Sequence, residues 1–500
     1  MSEVKKLSDK FNRMESNLRM HLIEKTTFNQ NSNLASMISV ALWLVLSISG
    51  FSQIASAQDN AASPQPIPRT SKDGPSLKFD FPAMLVGIAE YDEGPTGTTV
   101  FYFPKGVKGA VDVRGGAPGE VNATALQLSY ESPEMEAVVF SGGSWYGLSA
   151  ATGVANAIKE LKNAQGDMDF VAGVVGAIIY DVGGRRFSRV TPDDKLGKAA
   201  LLSAEPGWFP LGARGAGRFA MQGVYYLRDR NIDDFANWPH SGQGAAFRTS
   251  GPTKIGVFTV VNALGTIVDR SGRVVRCKRN SAAEVCPLIS DKLKAFAPIS
   301  TTASNSGGPT GNTTITLVVT NQKLPYWALH RLAVQVHSSM GRAIQPFATV
   351  EDGDILYAVT TDEVDNPSLS PLDLGVMASE LAWDAILSSV PAIKSTPTAV
   401  NAKIQPEELQ KCTGTYVFPG GGELAVVLDG GSLKAKFKGK GRIYFDPQKE
   451  YDISALGNGL FILESAARDV LKFEESGGHI TGLTMNPGSW SIRAVYRKSL

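Results

Sequence analysis

GNTTITLVVTN, residues 311–321, is the stretch on which the reading of this chain turns. Thr313–Thr320 is β-branched almost throughout. Such side chains fit a pleated, buried surface, so the run predicts a strand. Directly upstream, Gly307-Gly308-Pro309-Thr310-Gly311 carries neither a helical nor a strand period. A glycine-rich segment therefore runs into a strand with a hydroxyl residue, Thr313, at the junction. If the Asn312–Thr313 bond were cut, Thr313 would gain a free α-amine beside its own hydroxyl. An unperturbed α-amine has a pKa of about 7.7–8.0, so near pH 7 part of it is neutral and can accept the hydroxyl proton. Gly-Asn-Thr-Thr also fits an ordinary turn into a strand.

On the C-terminal side, Leu324–Ile344 has helical spacing through Leu329, Leu332, Val336 and Met340. Ile355–Thr360 reads as a strand and Leu372–Leu387 as a final helix. On the N-terminal side, Ile255–Asn262 and Phe170–Tyr180 are continuous apolar runs of buried-strand type. Thr98–Tyr102 and Glu136–Phe140 are further strands, and Trp145–Leu161 reads as a helix with Ala and Leu on one face. Together these predict a large unit over 77–390 whose sheets are covered by helices on their outer faces. A linker rich in Pro, Ser and Ala (58–76) precedes it and a second (391–403) follows. Residues 404–500 change character: GTYVF, ELAVVL, SLKAKF, RIYF and GLFILE are short period-2 runs separated by PGGG, DGG, KGKG and DPQ turns. That pattern predicts an antiparallel β-meander or small barrel with no helix-period interruption.

A chain of 500 residues exceeds one small core. Hydrophobic residues at 43% and charged residues at 19% place it among globular rather than disordered proteins. The formal net charge of +1 offers no basic field for nucleic acid. Residues 1–57 read as a leader. A polar stretch carries Lys5, Lys6, Lys10, Arg13, Arg19 and Lys25, an apolar run follows from Ala35 to Phe51, and Ala55-Ser56-Ala57 supplies a small-residue cleavage pattern. The charged region is long, as if translation began at Met14 or Met20. Cleavage after Ala57 would release a periplasmic or secreted protein, whereas an uncleaved run would anchor it in the membrane.

Standard catalytic signatures are missing. Gly143-Ser144-Trp145-Tyr146-Gly147 lacks the spacing of a G-x-S-x-G elbow. No H-E-x-x-H and no Cys/His cluster points to a metal, and no cofactor motif is present. Beyond the leader the histidines are His240, His330, His337 and His479. His330 and His337 lie a heptad apart on the expected helix and read as packed or surface residues. Cys277 and Cys286 flank one polar loop and could bridge in an oxidising compartment or remain two free thiols, while Cys412 is alone.

Several segments resemble the DmpA-type family of self-cleaving aminopeptidases, most closely its NylC-type nylon-oligomer-hydrolase branch. They are LKFDFPAMLVGIAEYDEGPTGTTV (77–100), VDVRGGAPG (111–119), SGGSWYGL (141–148) and GQGAAFR (242–248). VVNALGTIVDR (260–270), GNTTITLVVTN (311–321) and VHSSMGRAIQPFATVEDGDILYAVTTDE (336–363) follow, all in the family's order. The resemblance implies an α+β fold, an αββα sandwich of the DmpA/Ntn-hydrolase-like type, cleaved into an alpha chain ending at 312 and a beta chain starting at 313. It implies an amide hydrolase acting on small peptides, amino-acid amides or esters, or ω-amino-acid oligomers, and an oligomer of processed αβ protomers.

By the same resemblance Thr313 matches the nucleophile and Asn312 the residue severed from it. Asn262 matches an oxyanion-stabilising Asn, and Tyr146 an active-site Tyr. Asp352 and Asp354 match an acidic pair, expected to share one strand face and to orient Thr313 or a substrate ammonium. Asp352-Gly353-Asp354 also reads as a turn before a strand. The branch's catalytic Lys is absent: Val224 stands at the equivalent position, leaving Arg218 or Lys254 as replacements. The C-terminal unit resembles a small lipocalin-like domain found behind penicillin-binding-type esterases, through LQKCTGTYVF and GLTMN…AVYR. An acyltransferase of the ornithine-acetyltransferase-like type and a non-catalytic envelope binding protein are the alternative functions.

Overall fold

In the computed structural model two sheet layers meet face to face, and a pair of helices covers each from outside. The model describes residues 65–500 except 130–132, 165, 168, 183–188, 224–239, 277–287, 289, 291–311, 391–403, 420, 440–447, 466–468, 489 and 498–500. The expected leader, the first part of the 58–76 linker, the 391–403 linker, the RIYF run, Cys277, Cys286 and Val224 lie outside the described residues.

The first layer contains β1 (Leu85–Tyr91), the start of β2 (Thr96–Val113), β3 (Glu134–Ser141) and β4 (Val174–Ile178). The second contains the end of β2 with β5 (Gln243–Ser250), β6 (Thr253–Asn262), β7 (Thr313–Gln322) and β8 (Ile355–Val364). Hydrogen bonding is continuous in the order β4-β3-β2-β8-β7-β6-β5, with β1 paired to β2. β2 is the shared strand. Its Thr98–Tyr102 pairs with β3, its Lys108–Val113 pairs with β8, and an irregularity between Tyr102 and Val107 bends it. Gly106 takes the left-handed φ of +76° at that bend. Contacts between strands that are not sheet neighbours prove the face-to-face packing. Phe101 and Phe258 have ring centroids 5.4 Å apart, and the Tyr357 hydroxyl donates to Gly176 O at 2.8 Å.

Helices α1 (Ser149–Leu161) and α2 (Asp194–Leu202) pack on the outside of the first layer. Helices α3 (Tyr326–Ser339) and α4 (Pro371–Ser388) pack on the outside of the second. Parallel neighbours need a crossover rather than a tight turn. α1 provides it between β3 and β4, and α3 between β7 and β8. On α3 the buried Ala328, Leu329, Leu332, Ala333 and Val336 form one stripe facing the sheet. β7 is buried on both faces: Ile315, Leu317 and Val319 enter the core between the layers, and Val318 enters the core under α3 and α4.

Several expected boundaries shift. The 145–161 helix opens with a 3₁₀ turn, Ser144–Leu148, before α1. The 170–180 run forms a strand only over Val174–Ile178, because Phe170 and Ala172 pack against the α1 side instead of joining the ladder. Within the expected 58–76 linker, Arg69 exchanges two backbone hydrogen bonds with Glu90, so this part is tied down. Among the described residues no helix is long and apolar enough to cross a membrane.

After a short helix α5 (Pro406–Lys411), which the period-2 reading missed, the chain forms a closed eight-stranded barrel. Its strands are β9 (Gly414–Val417), β10 (Glu423–Asp429), β11 (Ser432–Lys438), β12 (Glu450–Gly457), β13 (Leu460–Leu463), β14 (Val470–Ser476), β15 (His479–Met485) and β16 (Ile492–Arg497). Each pairs antiparallel with the next, and β9 closes on β16. Alternation places Leu433, Ala435 and Phe437 of β11 inside.

Candidate active site

Strand directions gather the site at one edge of the second layer. β6 and β7 run antiparallel with Asn262 opposite Thr313, so the last residue of one faces the first of the other. β7 and β8 run parallel from Ile315 and Ile355, which brings the turn before β8 beside the start of β7. Asn312 makes an isolated parallel bridge to Asp352 in that turn. Thr313 shares the parity of Ile315 and Leu317, so its side chain points between the two layers.

The Asn312–Thr313 peptide is buried, with Thr313 only 2% exposed. Two donors converge on the Asn312 carbonyl oxygen: the Thr313 hydroxyl at 2.6 Å and the Gly353 N–H at 2.7 Å. Donors on a carbonyl oxygen draw electron density from its carbon and stabilise the oxyanion that forms on attack there. Gly353 escaped the sequence reading, which singled out the acids on either side of it. A Cβ at 353 would lie 2.7 Å from Ala117 O and 2.9 Å from Thr313 Oγ1, so the close approach requires glycine.

Asp352 and Asp354 lie in the turn before β8, not on the strand, so the expected alternation does not position them. Backbone hydrogen bonds do. Asp352 accepts from Leu264 N–H at 3.2 Å and from Thr349 N–H and hydroxyl at 3.0 and 2.6 Å. Asp354 accepts from Thr314 N–H at 2.5 Å and Ala348 N–H at 3.0 Å. Burial, followed by the negative charge of Asp352, pushes the Asp354 carboxyl well above the ordinary carboxylate range. The Thr314 and Ala348 N–H groups oppose that shift without cancelling it. This raised carboxyl sits one peptide unit beyond the Asn312–Thr313 bond.

The VDVRGGAPG segment cradles this turn. Arg114 and Gly115 N–H donate to Asp354 O at 3.1 and 3.2 Å, and Ala117 N–H donates to Asp352 O at 2.9 Å. A Cβ on Gly115 would come within 2.2 Å of Asp354 N.

Asn262 is fully buried. Its Oδ1 accepts from Met221 N–H at 3.1 Å, and its Nδ2 donates to Tyr180 O at 3.0 Å. Those two bonds orient the carboxamide opposite Thr313. Met221 was also missed, since a backbone donor leaves no mark on the sequence.

The remaining expectations divide differently. Tyr146 is on the 3₁₀ turn whose Ser144 N–H donates to Ile179 O at 3.0 Å, beside Tyr180. Tyr146 is 74% exposed, so it stands on the outer surface, not inside the buried cluster. Arg218 is ion-paired with Glu90 and, at 2.9 Å, with Asp92. Its charge is taken up by those carboxylates. Lys254 pairs with Asp80 at 2.6 Å and sits at the far end of β6 from Asn262. At ~3.3 Å per residue that is about 26 Å away, so Lys254 does not replace the branch Lys.

His337, on the buried face of α3, has its Nδ1 2.9 Å from Asp112. Burial lowers its pKa despite the carboxylate. His330 stacks on Tyr326, at 6.0 Å between ring centroids. Cys412 is a buried free thiol whose pKa burial pushes up to about 11. Among the described residues no group of three or more His, Cys, Asp or Glu side chains is arranged to hold a metal.

The model of peptidase family S58 matches residues 79–405. The 6-aminohexanoate-oligomer endohydrolase of Paenarthrobacter ureafaciens is 40% identical over 336 residues, covering 65% of this chain and 88% of the relative. A putative NylC-analogous protein of Agromyces sp. (strain KY5R) is 41% identical over 325 residues, 63% of this chain and 99% of that protein. Among solved structures, an L-aminopeptidase D-Ala-esterase/amidase from Ochrobactrum anthropi aligns at 14% identity with a TM-score of 0.44, over 64% of this chain and 88% of that one.

Proposed function

The chain belongs to peptidase family S58 and is an amide hydrolase, and from that premise we propose that Thr313 is its nucleophile, released as a new N-terminus by self-cleavage. One observation carries the proposal: the buried Asn312 carbonyl oxygen is held by both the Thr313 hydroxyl and the Gly353 N–H, at 2.6 and 2.7 Å. In the first stage Thr313 Oγ1 attacks the Asn312 carbonyl carbon and gives up its proton, and the oxyanion is stabilised by Gly353 N–H. The hydroxyl's proton passes to the Thr313 nitrogen, the C–N bond breaks, and that nitrogen leaves as the amine. Water hydrolyses the resulting ester to an Asn312 carboxylate and a free Thr313. In the second stage the α-amine accepts the Thr313 hydroxyl proton as Oγ1 attacks a substrate amide. Asn262 donates to the oxyanion, and water releases the acyl group.

Asp354 holds the start of β7 through Thr314 N–H, and the carboxylate of Asp352 beside it supplies the negative field that would retain a substrate ammonium. Substrates of this reading are small peptides, amino-acid amides or esters, and ω-amino-acid oligomers. The 40% identity to a 6-aminohexanoate-oligomer endohydrolase supports the last class. The family match favours hydrolysis over acyl transfer or a non-catalytic scaffold. The four-layer order supports placing the large unit among N-terminal-nucleophile hydrolases of the αββα type. The up-and-down closure of the eight strands supports a lipocalin-like barrel. Export through the 1–57 leader, and assembly of processed αβ protomers, complete the proposal.

The test is turnover of 6-aminohexanoate oligomers and of aminoacyl p-nitroanilides by the full chain and by Thr313→Ala. The wild type should hydrolyse at least one of these classes and the variant none. Turnover by Thr313→Ala at the wild-type rate would refute the assignment.

A further inference from the structure

The barrel's apolar interior extends beyond its own strands. Phe219 and Met221, from the segment after the Gly215–Gly217 turn, belong to the barrel's core cluster. Trp490, in the turn before β16, stacks on His240 with ring centroids 4.2 Å apart and planes at 14°. Phe219 meets the same imidazole edge-on at 5.4 Å. His240 forms an antiparallel bridge with Met221. Met221 N–H in turn donates to Asn262 Oδ1. A continuous line of contacts therefore runs from a barrel tryptophan to the carboxamide opposite Thr313.

We propose that the barrel, which begins after the family match ends at residue 405, positions Asn262 for catalysis. This rests on the reading of Asn262 as the oxyanion donor. A carboxamide has an acceptor end and a donor end, and a half-turn of its terminal bond exchanges them. Met221 N–H can donate only to the oxygen end and Tyr180 O can accept only from the nitrogen end, so the two together select one orientation. Tyr180 is anchored in the large unit beside β4. Met221 is held from the other side, by a segment buried in the barrel and clamped by the Trp490–His240 stack. A large flat ring half-buried against such a segment is an effective clamp, because aromatic pairs add to area burial a preference for one geometry. Trp490, His240 and Met221 are therefore positioning residues, acting on the transition state through Asn262.

The experiment compares Trp490→Ala, Trp490→Phe and Asn262→Ala in the full chain. It reads extent of self-cleavage, kcat and KM on an aminoacyl p-nitroanilide, and Tm. Losing one oxyanion donor outright costs about 10²–10³ in kcat, and a misaligned donor costs part of that. Trp490→Ala should lower kcat at least about fivefold with KM within about twofold, as expected for an interaction realised only in the transition state. A folded Trp490→Ala that stays uncleaved while Asn262→Ala is cleaved would place its effect elsewhere than on Asn262 and overturn the proposal. Trp490→Phe, which keeps a flat ring on His240, should recover most of the activity. If Trp490→Ala does not fold, Trp490→Leu, which keeps apolar bulk without the flat ring, is judged by the same criterion. A lowered Tm with wild-type kcat in Trp490→Ala, while Asn262→Ala is impaired, would overturn the barrel's positioning role alone. Cleaved and fully active Asn262→Ala would overturn the reading of Asn262 and this proposal with it.

Discussion

Replacing Gly353 by alanine tests the least expected part of the site. The added Cβ would lie 2.7 Å from Ala117 O and 2.9 Å from Thr313 Oγ1, whereas ordinary contacts begin near 3.4 Å. Ala117 O belongs to the backbone of the cradle, so the 352–354 turn must move by roughly 0.5–0.7 Å, and overpacking of this size costs about 1–3 kcal/mol of stability. Displacing the turn stretches the 2.7 Å bond from Gly353 N–H to Asn312 O. Full removal of one oxyanion donor costs about 2.7–4 kcal/mol of transition-state stabilisation, and a stretched donor costs part of it. Self-cleavage of Gly353→Ala should therefore be about 10- to 100-fold slower than wild type. The assay follows disappearance of the intact chain on a denaturing gel as a first-order decay, with a urea melt on the same preparation to separate rate from stability. A variant with altered stability but wild-type cleavage rate would refute the role assigned to Gly353 N–H.

Asp352→Asn removes a negative charge that, after burial, raises the Asp354 carboxyl. With Asp354 raised in the folded state, that state holds more protons than the unfolded chain, so stability falls as pH rises from about 3.9 through the folded pKa. The variant should show a narrower window of loss, displaced to lower pH, in urea melts across pH 4–8, and an unchanged window would contradict the coupling. Lys254→Ala should leave self-cleavage and turnover unchanged and alter stability by less than about 1 kcal/mol, since its partner Asp80 is on the surface. Loss of turnover in that variant would reinstate Lys254 as the stand-in for the branch Lys.

What could be read before the structure followed physical regularity. β7 was legible because eight successive residues favour a pleated conformation, and α3 because its apolar residues recur at helical spacing. Four of the barrel strands, β9, β10, β11 and β13, announced themselves by alternation and by the glycine turns beside them, whereas β12, β14, β15 and β16 were not singled out. The gathering of Asn262, Thr313, Asp352 and Asp354 came from family resemblance, since nothing in their sequence spacing brings them together. β2's passage between layers was illegible: a bend at Gly106 looks like any loop glycine until both pairings of the strand are seen. Gly353 and Gly115 resembled turn filler, and only the backbone pressed against them reveals why no side chain fits. Met221 acts through its main chain, which carries no residue signature. The short helix α5 was hidden in a six-residue stretch too brief to display a period.

N-terminal sequencing and intact mass of the purified full-length protein test the central claim most directly. The expected result is two chains, the smaller beginning Thr-Thr-Ile-Thr at Thr313, and a single unbroken chain for Thr313→Ala. An active wild-type protein that remains one chain, or is cut at another bond, would contradict it.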